Sequence, residues 1–376
     1  MNLTEAFRKV YGKRPELVVS SPGRVNLIGD HTDYNDGYVL PFAINRYVEM
    51  AARARNDNLV VARSEALPEP VSFNLTDLAH GGPAWGEYLK GVAHVLSFTG
   101  PGFDLLIRSG IPVGAGLSSS AALQMALARL ISSLSGDLWD PIQAARLGQR
   151  AENEWVGNAC GIMDQLVIAN GVEGSALLID CRTLHIEPQP LPEGIAVVVL
   201  DTGTRRDLRD SGYNERREAC DRASAAFGVP ALRDISPAML ADPPQGLSAN
   251  DLKRVRHVVS ENGRVLRAAE ALRRAEHVEV GRLMTASHES LRDEYEVSTK
   301  ELDQMVSSAM QQSGCLGARM TGAGFGGCVI AFVEGSKAEE MADATLADYR
   351  RHTQQLPSAY TCHAVAGTSL IPVPVD

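Results

Sequence analysis

An aspartate inside an apolar run and an arginine inside a strand-like run are the first residues of this chain that call for a chemical explanation. Asp164 stands in ACGIMDQLVIANG among Ile162, Met163, Leu166, Val167 and Ile168. Desolvating a carboxylate there is costly unless a partner or a task retains it. Asp164 is therefore a candidate functional residue, with a structural ion pair as the alternative. Arg24, its candidate partner, belongs to GRVNLIGDHTDYNDG at 23–37, where five ionisable groups crowd fifteen residues. Strand alternation places Arg24 and Asn26 on one face and Val25 and Leu27 on the other. The Asn35-Asp36-Gly37 turn signal then closes a loop holding Asp30, His31, Thr32 and Asp33. A charged hairpin with surface salt bridges is the plain alternative.

Two glycine-rich stretches have the composition of phosphate loops. Pro112-Val-Gly-Ala-Gly-Leu-Ser-Ser-Ser120 runs straight into an apolar-periodic helix with Leu123, Leu127, Leu130, Ile131 and Leu134 on one face. Gly114 and Gly116 let a ligand approach the backbone, and a helix start offers free amides and the positive dipole end to a phosphate. The hydroxyls of Ser118, Ser119 and Ser120 can cap the helix, bind phosphate oxygens or ligate Mg²⁺. No Gly-Lys-Ser/Thr follows, so this is not a Walker A loop. The second stretch, Thr321-Gly-Ala-Gly-Phe-Gly-Gly-Cys328, fits a second phosphate loop or a tight hairpin.

The elements that must position these residues alternate between strand and helix. ELVVS, RVNLI, YVEMAARAR and FDLLIRS read as strands before the first glycine loop. Asp140-Pro141 signals the start of a second helix reaching about Trp155, and GIMDQLVIANG suggests a third. Glu152 shares the second helix with Ala144, Ala145 and Trp155, and by itself reads as a solvated helix acid. SALLIDC and GIAVVVLDTG are strands separated by the Pro-rich EPQPLPEG, which places a domain boundary near 190, with domains at 1–190 and 191–376. Residues 213–312 are rich in helix signals, GCVIAFVEG is a strand, and CHAVAGTSLI reads as a closing strand. The order predicts two α+β domains.

Composition narrows the function class. The formal net charge of −10 argues against nucleic acid or an anionic membrane as the main partner. Six scattered cysteines without CxxC or zinc spacing predict free thiols and a reducing compartment. No apolar core of signal-peptide length opens the sequence and no run reaches the ~18 apolar residues of a membrane span. The expectation is a cytoplasmic protein with no obligate protein partner.

GRVNLIGDHTDY, PVGAGLSSSAAL and MTGAGFGGC closely resemble the three motifs of the GHMP kinases, and the first matches the galactokinase signature. CGIMDQ, ALLIDCR, SGYNERR and SLRDEYEVSTKELDQMV also resemble galactokinase segments in the expected order. The resemblance implies an α+β two-domain fold, with an N-terminal βα domain, a C-terminal ferredoxin-like domain and the active site in the cleft between. It implies phosphorylation of α-D-galactose at C1 by ATP with Mg²⁺, the entry step of galactose metabolism. Carried over by position, Asp164 is the catalytic aspartate and Arg24 the arginine beside it. Asp30, His31, Thr32, Asp33, Gly161 and Tyr213, together with Asp164, fall at sugar-binding positions. Gly114, Ala115, Gly116, Leu117, Ser118, Ser119 and Ser120 match the phosphate loop, Trp85 and Tyr88 the adenine region, and Ser120 and Glu152 the Mg²⁺ positions.

One position departs from the family pattern: galactokinases mostly carry glutamate where this chain has Asp30. The shorter acid raises the expectation of broader sugar selection, as in relatives acting on N-acetylgalactosamine or arabinose. Retention of Ser120, Glu152 and Asp164 argues against a non-catalytic galactose sensor built on the same scaffold. The His31-Thr-Asp-Tyr34 cluster argues against kinases of mevalonate or homoserine.

Overall fold

The computed structural model describes residues 1–205 and 212–373. Its N-terminal layer is built on a six-stranded sheet in the order β13-β1-β3-β6-β4-β5. These strands are β1 (Leu17–Asn26), β3 (Pro41–Ala54), β4 (Leu59–Ser64), β5 (Val71–Asn74), β6 (Phe103–Ser109) and β13 (Ser369–Ile371). ELVVS and RVNLI, read as separate strands, are one strand, β1, broken only by a register shift at Pro22/Gly23. One sheet face presents Val18, Ala51 and Leu106 to α1 (Leu3–Tyr11), whose start carries an Asn2/Glu5 capping box. The opposite face presents Val19, Met50 and Leu105 to the main core. That core is covered by α2 (Ala84–Val95), α3 (Ser119–Ser135), α4 (Pro141–Arg150) and α5 (Met163–Asn170). A small sheet of β2 (Tyr38–Val39), β7 (Ser175–Asp180) and β8 (His185–Pro190) lies beside it.

The C-terminal layer is a four-stranded antiparallel sheet of β9 (Ile195–Asp201), β10 (Cys315–Met320), β11 (Cys328–Glu334) and β12 (Ser358–Cys362). The spatial order β10-β11-β9-β12, with helices between β9 and β10 and again between β11 and β12, is the ferredoxin-like arrangement. Its helices are α6 (Gly212–Phe227), the short α7 (Pro237–Ala241), α8 (Ala249–Arg273), α9 (His277–Ser290), α10 (Lys300–Met310) and α11 (Ala338–His352). The long α8 packs on α6 and α9 and also touches β2 and β8, joining the two layers.

Two expectations change in detail. The helix predicted to reach Trp155 does start at an Asp140 cap, whose carboxylate accepts from the amides of Ile142 and Gln143. It becomes a π-helical turn at Ala151–Val156 and stops at Gly157, a widening that hydrophobic periodicity cannot reveal. CHAVAGTSLI is not one strand. Cys362 ends β12 in the C-terminal sheet, and after a crossing segment β13 joins the edge of β1 in the N-terminal sheet. The crossing is held by the Val365 amide on the Ala43 carbonyl at 3.0 Å and by Ser21 and Thr368 hydroxyls 2.9 Å apart.

Candidate active site

Arg24, near the end of β1, meets Asp164, in the first turn of α5, as a two-pronged pair. Nε and Nη2 donate to Oδ1 and Oδ2, each at 2.8 Å. The remaining nitrogen, Nη1, donates to the Gly116 carbonyl at 2.5 Å. The Arg24 side chain is 5% exposed and that of Asp164 29%, so the pair is rooted in the core and open on the carboxylate side. Charge-assisted bidentate geometry of this kind fixes both direction and distance. The Ser118 hydroxyl also donates to Asp164 Oδ2, showing that this oxygen accepts an O–H as well as a guanidinium.

Ser118 occupies the N-cap position of α3 in a left-handed conformation and makes no side-chain capping bond. Its hydroxyl is spent on Asp164 instead, so the first amides of a seventeen-residue helix are left for a ligand. Gly114, Gly116, Ser119 and Ser120 are partly exposed around this helix start, while Ala115, Leu117 and Ser118 are buried under it. The second glycine stretch lies directly behind. A Cβ on Gly322 would come within 2.8 Å of the Gly116 carbonyl, and one on Gly327 within 2.7 Å of that of Ala115. Of the two alternatives for 321–328, these glycines serve backbone-to-backbone packing of a tight turn between β10 and β11.

Beside Asp164 lies Asp33, whose carboxylate accepts from the Met163 amide at 3.3 Å. Burial first, and then the charge of Asp164, push the Asp33 carboxyl up to about 6. Gly161 is required beside it, because a Cβ there would stand 2.0 Å from Asp33 Oδ2. Tyr213, in the first turn of α6, is half-buried with its ring 5.6 Å from those of His31 and Tyr34, and burial pushes its phenol well up. The other residues of the signature are closed off. Thr32 is fully buried, its hydroxyl shared between the Gly29 and Tyr38 carbonyls. Asp30 is 1% exposed and takes Arg319 at 2.6 Å and the Asn26 amide at 2.9 Å, while burial pushes its carboxyl up against the pull of Arg319. His31 is buried with both ring nitrogens engaged, Nδ1 with the Tyr34 hydroxyl and Nε2 with the Ala323 carbonyl.

Glu152 lies in the π-helical turn and is 6% exposed, not the solvated acid that its sequence context suggests. Its carboxylate accepts from Gln124 at 2.6 Å and Asn158 at 2.8 Å, and Gln165 continues the chain onto Gln124 at 3.2 Å. Trp85 and Tyr88 sit on α2, which packs against α3 and the turn bearing Glu152. Tyr88 is buried, while half-buried Trp85 keeps an Nε1 without a hydrogen-bond partner among the described residues.

Known proteins are similar to this chain over nearly its whole length. A galactokinase of Roseiflexus sp. is 44% identical over 98% of this chain and 96% of its own length. The chain belongs to the galactokinase family. A second member, from Chloroflexus aggregans, is also 44% identical, over 97% of this chain and 96% of that galactokinase. The crystal structure of Lactococcus lactis galactokinase complexed with galactose superposes with a TM-score of 0.94 at 35% identity, covering 98% of each chain. The galactokinase galactose-binding signature matches residues 5–54, the GHMP kinases N-terminal domain 87–172 and the GHMP kinases C-terminal family 268–350. Mevalonate kinase, at 19% identity and a TM-score of 0.65, shares the fold alone. As in other galactokinases and GHMP kinases, the chain is an enzyme with a two-layer α+β fold, and no described helix is long and apolar enough to cross a membrane.

Sequence reasoning missed several residues of this galactokinase site. Arg319 is fully buried and holds Asp30 together with the carbonyl of Asn26, yet in GARMTGAG it reads as an ordinary strand arginine. Its signal was its place just before the glycine turn. Gln124 and Asn158 gave no local signal, since each acts through Glu152, on another element.

Proposed function

We propose that the enzyme transfers the γ-phosphoryl group of ATP to the C1 hydroxyl of α-D-galactose, giving α-D-galactose 1-phosphate and ADP. The observation that supports this best is the single guanidinium of Arg24, which grips both oxygens of Asp164 and the Gly116 carbonyl of the phosphate loop. The acceptor's base and the donor's cradle are thereby held by one rigid group.

In this reading the sugar lies between Asp33, Tyr213 and Asp164, in a pocket whose floor is shaped by Gly161 and the buried Asp30, His31 and Thr32. Asp164 Oδ2 accepts the C1 hydroxyl proton as the oxygen attacks the γ-phosphorus, and the bond to the β–γ bridging oxygen breaks to leave ADP. Arg24 offsets the negative charge that develops between base and phosphate. The amides at the start of α3, with Ser119 and Ser120, bind the phosphates, and Trp85 and Tyr88 wall the adenine side.

Mg²⁺ fits the remaining donors: Ser120 and Glu152 offer only oxygen, and Glu152 is oriented by two amides, as a hard-cation ligand requires. When bound, the ion supplies charge neutralisation at the phosphates. Six free thiols support a cytoplasmic setting. Asp30, drawn onto Arg319 and Asn26, favours loose selection at C6 of the sugar, with broader sugar use as the consequence. An ADP-release assay with galactose tests the reaction. Asp164→Asn should still bind galactose while turnover falls roughly 10²–10⁴-fold, and near-normal turnover would sink the assignment.

A further inference from the structure

Behind the sugar side of the site, a file of hydrogen bonds crosses from the C-terminal helices to the second glycine turn. Cys220 Sγ on α6 lies 3.2 Å from the Tyr295 hydroxyl in the π-helical turn that follows α9. The Tyr295 hydroxyl is 2.7 Å from that of Tyr34, and Tyr34 is 2.8 Å from His31 Nδ1. His31 Nε2 ends the file 3.1 Å from the Ala323 carbonyl. Asn35 Nδ2 begins it, 3.5 Å from Cys220 Sγ, and also donates to the His31 carbonyl at 2.9 Å.

Donor and acceptor chemistry allows a neutral His31 one ordering. A carbonyl only accepts, so His31 carries its proton on Nε2 and Nδ1 accepts from Tyr34. Tyr34 must then accept from Tyr295, and Tyr295 from the Cys220 thiol. Burial holds the imidazole well below its ordinary range and the Cys220 thiol up at about 11, so both stay in the forms this order needs.

We propose that Tyr34, Tyr295 and Cys220 are positioning residues that hold the His31 ring, through its Nδ1, against the Ala323 carbonyl and so anchor the 321–327 turn against the phosphate loop. Ala323 neighbours Gly322, whose backbone abuts the Gly116 carbonyl, and that carbonyl is the one Arg24 holds. The file therefore ends three contacts away from Asp164, through Gly322–Gly116, Gly116–Arg24 and Arg24–Asp164. Its effect on turnover rests on the galactokinase reading above, whereas its effect on His31 does not.

The test uses the full chain labelled with ¹⁵N in its histidine rings, the His31 signals being assigned by their loss in His31→Asn. The parent should show His31 as the Nε2–H tautomer with a hydrogen-bonded Nδ1, and Tyr34→Phe should move the Nδ1 signal to that of an unbonded ring nitrogen. Tyr34→Phe should lower kcat roughly tenfold, with the galactose KM moving less than about threefold. Tyr295→Phe keeps the Tyr34–His31 bond and should cost about threefold in kcat. Cys220→Ser should keep the parent rate where Cys220→Ala loses about twofold, since only serine retains a donor. A parent proton on Nδ1, or a Tyr34→Phe variant with the Nδ1 signal or kcat unchanged, overturns the proposal. Should Tyr34→Phe fail to fold, an undiminished kcat in Tyr295→Phe overturns it. If the parent does not turn over galactose at all, the ring-nitrogen result decides alone.

Discussion

Two arginine–aspartate pairs join distant parts of this chain, and their surroundings assign them opposite duties. Arg24–Asp164 is bidentate, with the carboxylate side 29% exposed. Arg319–Asp30 has one charged contact at 2.6 Å, with side chains 0% and 2% exposed. The first leaves its carboxylate partly open to solvent, where the proposed reading puts the substrate. The second is sealed between β10 and the loop after β1, where its arginine also holds the Asn26 carbonyl. In the proposed reading, an identical chemical pair serves reaction when its acid reaches solvent and serves assembly when it does not.

Breaking the first pair at its acid is expected to give the largest effect: Asp164→Asn should lose turnover by orders of magnitude while its thermal midpoint stays near the parent's, read by calorimetry beside the ADP assay. Breaking the second should do the reverse. Arg319→Met leaves a buried carboxylate uncompensated and should lower unfolding free energy by about 3–5 kcal/mol in urea titration, with the double variant Asp30→Asn/Arg319→Met regaining most of it. Arg24→Lys keeps the charge but loses the fork, and kcat/KM should fall roughly 10–100-fold.

Asp33 sharpens the contrast by titration, because its carboxyl titrates near 6. In the proposed reading the ionised form accepts sugar hydroxyls, so kcat/KM for galactose should fall as pH drops through about 6, and Asp33→Asn should erase that inflection. Its contribution to folding stability runs the other way: a folded pKa above the ordinary one means that stability from Asp33 rises as pH falls. The smallest effect should come from the substrate. With Asp30 committed to Arg319, 6-deoxygalactose should be used within about tenfold of galactose in kcat/KM, since one missing hydrogen bond to a pre-satisfied group costs little.

Asp164 and Arg24 were legible in the sequence because charge inside an apolar or alternating run is expensive and therefore informative. The helix after the first glycine loop was legible from its periodicity, and the Asp140 cap from its chemistry. The overall fold came through motif resemblance, since local signals do not say which strands pair. Arg319 was hidden because strand alternation cannot distinguish a solvated arginine from one buried against another layer. Tyr34 stood in plain view inside the signature, but its role depends on Tyr295, remote in sequence and brought near only by the fold. The π-helical turn at 151–156 was invisible for a related reason, as it alters hydrogen-bond pairing without altering residue pattern.

The crossing of the C-terminal segment back to β1 bears on how the protein is made. The edge of β1 is covered by a strand that leaves the ribosome after every element of the C-terminal layer. Until then the nascent N-terminal sheet offers open backbone donors and acceptors along β1, a template for pairing between neighbouring chains. Completion of the first layer at Val18–Ser20 thus waits on translation of β13, after the elements of the C-terminal layer.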